Sequence, residues 1–372
     1  MNFSFSNTIL IIGACWLLCF LIQLFYYLYF YIRLAHKRKG DNSSQPPVSV
    51  IVCAKNEEEN LKQFLPLCLT QEYPNYEVIV VNDCSEDETS VVLESFAKKY
   101  APLKISTIKK DEKFNHGKKL AITIGIKAAQ YEHLLFTDAD CYPVSTTWIS
   151  DMMSLYTPST EIVLGYGGYK KEKGFLNKLI RFDTLFIAMQ YMSFAIAGVP
   201  YMGVGRNLSY KKNLFFRNKG FASHATLLSG DDDLFVNETA NKKNVSVNLE
   251  SHTRSIAPAT FASWVHQKKR HQSTFYHYKG LHKFLLILEP VSRFLFYFII
   301  PVLLLLDIKT WIVVIPVFAV RLIVFMLVYY FSTKTLKEKD LLLISPFFDF
   351  IFLFEELIIK LTKKTQRQYT WK

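Results

Sequence analysis

Apolar and polar positions along this 372-residue chain separate a central domain from the stretches that flank it. Thr8 to Ile32 carries no charged residue, and as a helix its 25 positions reach about 37 Å, more than the roughly 30 Å of a hydrocarbon core. The pattern therefore predicts a transmembrane helix over 8–32, with a short extracytoplasmic stretch at 1–7 and a basic linker at 33–47. From Val48 the pattern changes. Strand-like apolar runs at Val48 to Ala54, Tyr76 to Val81, Leu103 to Ile108 and His133 to Thr137 alternate with helical patterns at Glu57 to Leu69, Thr89 to Lys99 and Lys118 to Gln130. Such alternation predicts an α/β domain, set at 48–283, with a mostly parallel sheet covered by helices. Asp151 to Lys219 is less regular. Two further spans are expected at 284–306, provided Glu289 and Arg293 face protein or the interface, and at 311–331, where Arg321 is the only charge. Segment 341–359 is long enough to cross but holds Pro346, Asp349, Glu355 and Glu356 between lysine-rich flanks, which favours an interfacial or re-entrant path over a fourth crossing. A basic tail, 360–372, follows.

Charge fixes the expected orientation. Arg33, His36, Lys37, Arg38 and Lys39 directly follow the first span, so the positive-inside rule puts the amino terminus outside and the α/β domain on the cytoplasmic side of the inner membrane. A cleaved signal peptide would have a basic start and a shorter apolar run, and Met1 to Asn7 has no Lys or Arg. The net charge of +12 gathers beside the apolar spans and within the middle domain, a distribution that suits anionic membrane lipid and a phosphorylated substrate rather than nucleic acid. The six cysteines include no CxxC pair and read as reduced thiols.

Candidate chemistry gathers where the predicted strands end, the edge at which open α/β sheets bind ligands. Asp138 and Asp140, separated by one small residue, can point the same way and need a cation to offset their repulsion, which makes them candidates to hold a hard metal ion. Glu57 and Glu58 follow the first strand, and Asp83, Glu86 and Asp87 follow the second. Helix capping by Asn56 or Ser85, and acids in first turns, account for Ser85, Asp87 and Glu58 but less well for Asp83. Lys118 and Lys119, after His116 and Gly117, open a helix and suit an anion. The glycines of Met202 to Tyr210 lack the spacing of a dinucleotide loop. Asp231, Asp232 and Asp233 raise one another's pKa and are candidate proton acceptors. Gln267 and Arg270, three apart, share a helical face, although a plain basic surface helix has the same composition.

Taken together, Val48 to Leu61, Val80 to Thr89, Thr137 to Pro143, Gly230 to Leu234 and Gln267 to His271 resemble the motifs of membrane-bound inverting glycosyltransferases of family 2, the class that includes cellulose, hyaluronan, chitin and ceramide-sugar synthases. The resemblance covers roughly residues 46 to 275. It implies a GT-A fold, a Rossmann-like sheet that binds a nucleotide-sugar donor, here expected to be UDP-linked. It also implies that Glu57 and Asp83 contact the nucleoside with Lys118 nearby, that Asp138 lies against ribose and diphosphate, and that Asp140 holds Mg²⁺ or Mn²⁺. Asp231 and Asp232 match the family's acidic pair, with Asp232 as the base, though Asp233 leaves the register open by one. Gln267 and Arg270 match a Gln-x-x-Arg-Trp motif at the diphosphate and acceptor, with Trp264 and His271 on the acceptor side. His271 replaces the motif's final Trp, offering less stacking area and a group that can titrate, which argues against a processive polymer synthase. The expected activity is sugar transfer to a lipid-linked or polysaccharide acceptor. A processive synthase of an extracellular or envelope polysaccharide and a non-catalytic membrane subunit are the alternatives.

Overall fold

A computed structural model describes residues 2–35, 45–109, 117–227, 229–355 and 359. His116, most of the basic linker and the basic tail lie outside the described residues. In chain order the helices and strands are α1 (Asn2–Phe25), β1 (Val48–Ala54), α2 (Glu58–Leu69), β2 (Tyr76–Asp83), α3 (Thr89–Lys99), β3 (Leu103–Ile108), α4 (Lys118–Ala128), β4 (His133–Asp138), β5 (Cys141–Pro143), α5 (Trp148–Met153), β6 (Ile162–Tyr169), α6 (Phe175–Ile196), β7 (Leu208–Lys211), α7 (Lys212–Arg217), α8 (Asp233–Thr239), β8 (Val245–Ser255), α9 (Phe261–Gln272), α10 (Gly280–Leu306), α11 (Trp311–Thr335) and α12 (Ser345–Ile351). They form two compact units, one from residues 45–278 and one from the flanking apolar helices.

In the first unit a single sheet runs in the order β3-β2-β1-β4-β7-β6-β8-β5. Every residue of β1 is buried, as its unbroken apolar run requires of a strand covered on both faces. Its parallel neighbours are β2, with Ala54 opposite Asn82, and β4, with Cys53 opposite Asp138. This register brings the ends of β1, β2 and β4 to one edge. The expected mostly parallel sheet holds for β3-β2-β1-β4, but β7 runs antiparallel to both β4 and β6, and β5 antiparallel to β8, so the whole is mixed. Val50, Val52, Val78, Val80 and Leu135 meet Leu61, Leu65 and Trp148 in the core, each full burial stabilising by on the order of 1.5–3 kcal/mol.

α6 fills the region where the sequence pattern is irregular. It packs on β6 and β8 and is buried almost all round, polar residues included, so no one-sided amphipathic period marks it. Among the described residues, four helices are long and apolar enough to cross a membrane: Asn7–Ala35, Phe175–Ile196, Gly280–Leu306 and Ile308–Thr335. The second of these is 78% buried and encloses Arg181 and Asp183, so in this fold it is a core helix of the α/β unit.

In the second unit, Trp16 of α1 stacks on Phe296 of α10 at 5.3 Å and donates its indole N–H to the Phe296 carbonyl at 3.0 Å. The charged residues inside the apolar helices are buried against one another. Asp349 of α12 accepts from Arg293 Nη1 at 3.0 Å, Arg321 Nη2 at 2.9 Å and Tyr297 OH at 2.8 Å, while Glu289 lies 3.5 Å from Arg293 Nε. The helical stretch Ser345–Phe354 has ten residues, about 15 Å, about half of a hydrocarbon core.

Candidate active site

The loops after β1 and β2 are clasped to each other. Asn56 and Cys84, each the first or second residue past a strand, take left-handed φ values of 54° and 52° that turn the chain sharply at the sheet edge. Asn56 N–H donates to Ser85 Oγ at 2.9 Å, and Glu86 N–H donates to Asn56 Oδ1 at 2.8 Å. Neither Asn56 nor Ser85 therefore caps its own helix, contrary to the sequence expectation; each spends its side chain on the neighbouring loop. Asp87 accepts from Thr89 N–H at 3.1 Å and from Glu58 N–H at 3.2 Å. Glu57 is buried, with its carboxylate receiving Asn60 Nδ2 at 2.6 Å, and Asp83 is wholly buried at the end of β2.

The next cavity along this edge is lined by Cys53, Lys118, Thr137, Asp138, Gly205 and Tyr210 with Asp231 and Asp232. Lys118 bridges it, 2.8 Å from Asp138 Oδ1 and 3.4 Å from Asp231 Oδ2. Burial disfavours the Lys118 charge, but these carboxylates and Asp232 more than offset it, so the ammonium is held well above its ordinary range. Lys119 turns away, donating to the carbonyls of His224 and Leu227 (2.9 Å for the latter), so only one of the two expected anion contacts faces the cavity.

The three consecutive acids have three environments. Asp231 is 7% exposed and paired with Lys118. Half-buried Asp232 accepts from Gly205 N–H at 2.7 Å and from Asp233 N–H at 2.8 Å, which caps α8. Burial and the neighbouring Asp231 and Asp233 push its carboxyl up to about 7, against Lys118 and the Gly205 hydrogen bond. Asp233 points out of the cavity to Tyr278 OH at 2.7 Å and Thr274 Oγ1. Two glycines make this possible: Gly230 sits at φ +104°, and a Cβ on Gly205 would lie 3.3 Å from Asp232 Oδ2.

Asp138, Asp140 and Cys141 bring a ligand atom each within 4.8 Å of one another. The Cys141 thiol donates to Asp140 Oδ1 at 3.3 Å, and burial followed by Asp140 holds it well above its ordinary pKa, so it is a neutral donor. The two carboxylates remain as oxygen ligands, a set that fits a hard divalent ion completed by phosphate oxygens.

Arg206 lies beside the same acids and was not singled out from the sequence. Its guanidinium sits 4.5 Å over the Tyr169 ring and donates to Ser255 Oγ at 3.3 Å. Burial lowers its pKa, yet Tyr169, Cys141, Asp138 and Asp140 raise it further, so it stays charged. The signal was the glycine-punctuated run Met202 to Tyr210, which brings backbone and a cation close to the strand ends.

α9 starts at a capping box, Thr260 accepting from Ser263 N–H and Ser263 Oγ from Thr260 N–H, each at 3.2 Å, and is tied to α6 by a 2.8 Å Lys268–Asp183 pair. On it, Gln267 accepts from Tyr169 OH at 3.1 Å, and Arg270 is half-buried with no partner for Nε among the described residues. Trp264 is 4% exposed and packs against Phe261 at 5.4 Å, so it anchors the helix and offers no open face to an acceptor, unlike the sequence expectation. His271 keeps an exposed face, but the surrounding protein and then Arg270, Arg206, Lys268 and Lys118 hold its pKa well below the histidine range. Burial first, and then repulsion from these four cations, keeps the expected titrating group neutral at neutral pH.

The mixed α/β sheet, with carboxylates and cations at one edge, has the architecture of the GT-A glycosyltransferase fold. Residues 49–217 match the family model of glycosyl transferase family 2. Among curated proteins, it is 32% identical over 106 residues to poly-beta-1,6-N-acetyl-D-glucosamine synthase of Staphylococcus epidermidis, covering 27% of this chain and 24% of the relative. It is 26% identical over 240 residues to the probable glycosyltransferase YdaM of Bacillus subtilis, covering 60% and 54%. The chain thus spans about a quarter to a half of the length of these relatives. Among solved structures, mannosyltransferase PcManGT from Pyrobaculum calidifontis, in complex with GDP-Man and Mn²⁺, shares the fold at a TM-score of 0.58 and 18% identity, covering 94% of this chain and 99% of that one.

Proposed function

We propose that this protein is an inverting glycosyltransferase that moves a sugar from a nucleotide-diphosphate donor to a lipid-linked or glycan acceptor at the cytoplasmic face of the membrane, anchored by α1, α10 and α11. The observation that carries this reading is the Asp232 carboxylate, held by Gly205 N–H at 2.7 Å beside the Lys118–Asp138 pair and pushed up to about 7.

Asp232 is the general base. Its raised pKa suits it to take the proton of an acceptor hydroxyl, and as the least buried of the three acids it is the one an acceptor can reach. Attack from the face opposite the diphosphate breaks the bond to the anomeric carbon in one displacement and inverts its configuration. Negative charge then grows on the leaving phosphate oxygens, where Arg270, Arg206 and Lys118 are placed to compensate it. Gln267 orients the same group, Asp138 orients ribose and diphosphate, and Glu57 and Asp83 lie toward the nucleoside. Asp140, with Asp138 beside it, would hold Mg²⁺ or Mn²⁺, which supplies Lewis-acid neutralisation of the diphosphate; the Mn²⁺ and GDP-Man of the fold neighbour support a metal and leave both UDP- and GDP-linked sugars as donor candidates.

The test is nucleoside diphosphate release by detergent-purified protein from a panel of UDP- and GDP-linked hexoses and N-acetylhexosamines with Mg²⁺ or Mn²⁺. Asp232→Asn is expected to lower kcat by at least about a hundredfold while nucleoside diphosphate binding stays within about twofold. Near-normal turnover in that variant sinks the base assignment, and absence of any metal-dependent release sinks the enzymatic reading. Product length separates single addition from processive synthesis.

A further inference from the structure

The third acid of the run faces away from the cavity and reaches a different segment. Asp233 is 6% exposed, and its Oδ1 accepts from Leu234 N–H at 2.8 Å. Its Oδ2 meets Tyr278 OH at 2.7 Å and Thr274 Oγ1. Both hydroxyls belong to the stretch that leaves α9, on either side of a 3₁₀ turn at Phe275–His277. Thr274 Oγ1 also lies 2.7 Å from the carbonyl of His271. The Thr274 hydroxyl therefore sits between the Asp233 carboxylate and the last turn of α9.

The site needs such a fastening. α8 begins at Asp233, so the residue that ends this contact is bonded in sequence to Asp232, whose carboxylate caps the same helix. α9 carries Gln267, Arg270 and His271. A base on one element and a leaving-group clamp on another must keep a fixed separation, and a misplacement of about 1 Å can cost about a hundredfold in rate.

We infer that Asp233 is a positioning residue for the transfer reaction, pinning the Asp232-bearing start of α8 to the Thr274–Tyr278 segment at the end of the helix that carries Gln267 and Arg270. This rests on Asp232 as the base.

The test uses the full chain in detergent with Asp233→Leu, Asp233→Asn, Thr274→Val, Tyr278→Phe and the Asp233→Leu/Tyr278→Phe double variant. Nucleoside diphosphate release from UDP- and GDP-linked hexoses with Mn²⁺ gives kcat and donor KM, and calorimetry with UDP or GDP and Mn²⁺ gives product affinity. Asp233→Leu is expected to lower kcat about ten- to a hundredfold with KM and affinity within about twofold. Asp233→Asn, which keeps a donor and an acceptor, recovers most of the rate, and the double variant costs no more than Asp233→Leu alone. Where Asp233→Leu fails to fold, Thr274→Val and Tyr278→Phe carry the test, with kcat expected to fall about two- to fivefold at unchanged KM. Unchanged kcat in the folded variants overturns the inference, as do additive effects in the double variant. So does a parallel loss of kcat, KM and affinity with a lowered melting temperature. Loss of turnover in Asp232→Asn with an unaffected Asp233→Leu overturns only the positioning role. Full turnover in Asp232→Asn with loss in Asp233→Asn makes Asp233 the base and overturns both readings.

Discussion

At the scale of single residues, the candidate site works by giving like groups unlike surroundings. Asp231 is neutralised by Lys118, Asp232 is held by backbone N–H groups, and Asp233 is sunk among hydroxyls. The consequence is a pH profile. A base whose free-enzyme pKa is raised to about 7 is active only when deprotonated, so kcat/KM should climb with pH through about 7 and level off above it. Asp231 is the charged neighbour that contributes most to that elevation, so Asp231→Asn is expected to move the rising limb to lower pH. A limb that stays in place, or that moves up, contradicts the assignment of the titrating group. His271 contributes no limb of its own, since it is already neutral across this range.

At the scale of elements, two contacts fix pieces that local propensity alone leaves marginal. α9 has a polar, basic sequence and starts at the exposed capping pair Thr260 and Ser263. Thr260→Ala should destabilise the α/β unit by about 1 kcal/mol, read as a lowered denaturation midpoint, with the chemistry of the cavity intact. α12 is too short to be held by burial of its length, and Asp349 ties it to Arg293 of α10 and Arg321 of α11. Asp349→Asn leaves the buried Arg321 guanidinium without its anion and Arg293 with Glu289 alone, an expected cost of about 3–5 kcal/mol that detergent thermal-shift measurements would register. Replacing these three together with Glu289 by apolar residues of similar volume should restore most of that loss; equal instability in the quadruple variant would mean the pairing is not what holds α12.

At the scale of the whole molecule, the α/β domain lies in sequence between helices long and apolar enough to cross a membrane. α1, α10 and α11 are long and apolar enough for three crossings, and the proposed orientation, with the cationic residues after the first span inside, puts the α/β domain on the cytoplasmic side. Reporter fusions at the amino terminus and after residue 372 check this: the first is expected outside, the second inside. An inside signal from both would require an even number of crossings and a different path for α12.

The sequence by itself determined the elements whose patterns are local. Val48–Ala54 ends where its apolar run ends, Leu103–Ile108 and Thr89–Lys99 keep the bounds their strand and helix patterns predict, and the first apolar span is legible because it is long and free of charge. The carboxylates at strand ends were equally legible, since two-residue alternation and parallel order bring Asp83 and Asp138 to one edge. Tertiary structure alone decided the rest. α6 is enclosed on nearly all sides and so loses the one-sided periodicity that marks a surface helix. The antiparallel place of β7 depends on pairing with β4 and β6, residues far away in sequence. Arg206 joins the acids only because β7 returns beside β4, and Trp264 is withdrawn from the acceptor side by packing against Phe261. Three identical aspartates in a row carry no difference in sequence; Gly205, Lys118 and the Thr274–Tyr278 hydroxyls, each from another part of the chain, give them different partners and different work.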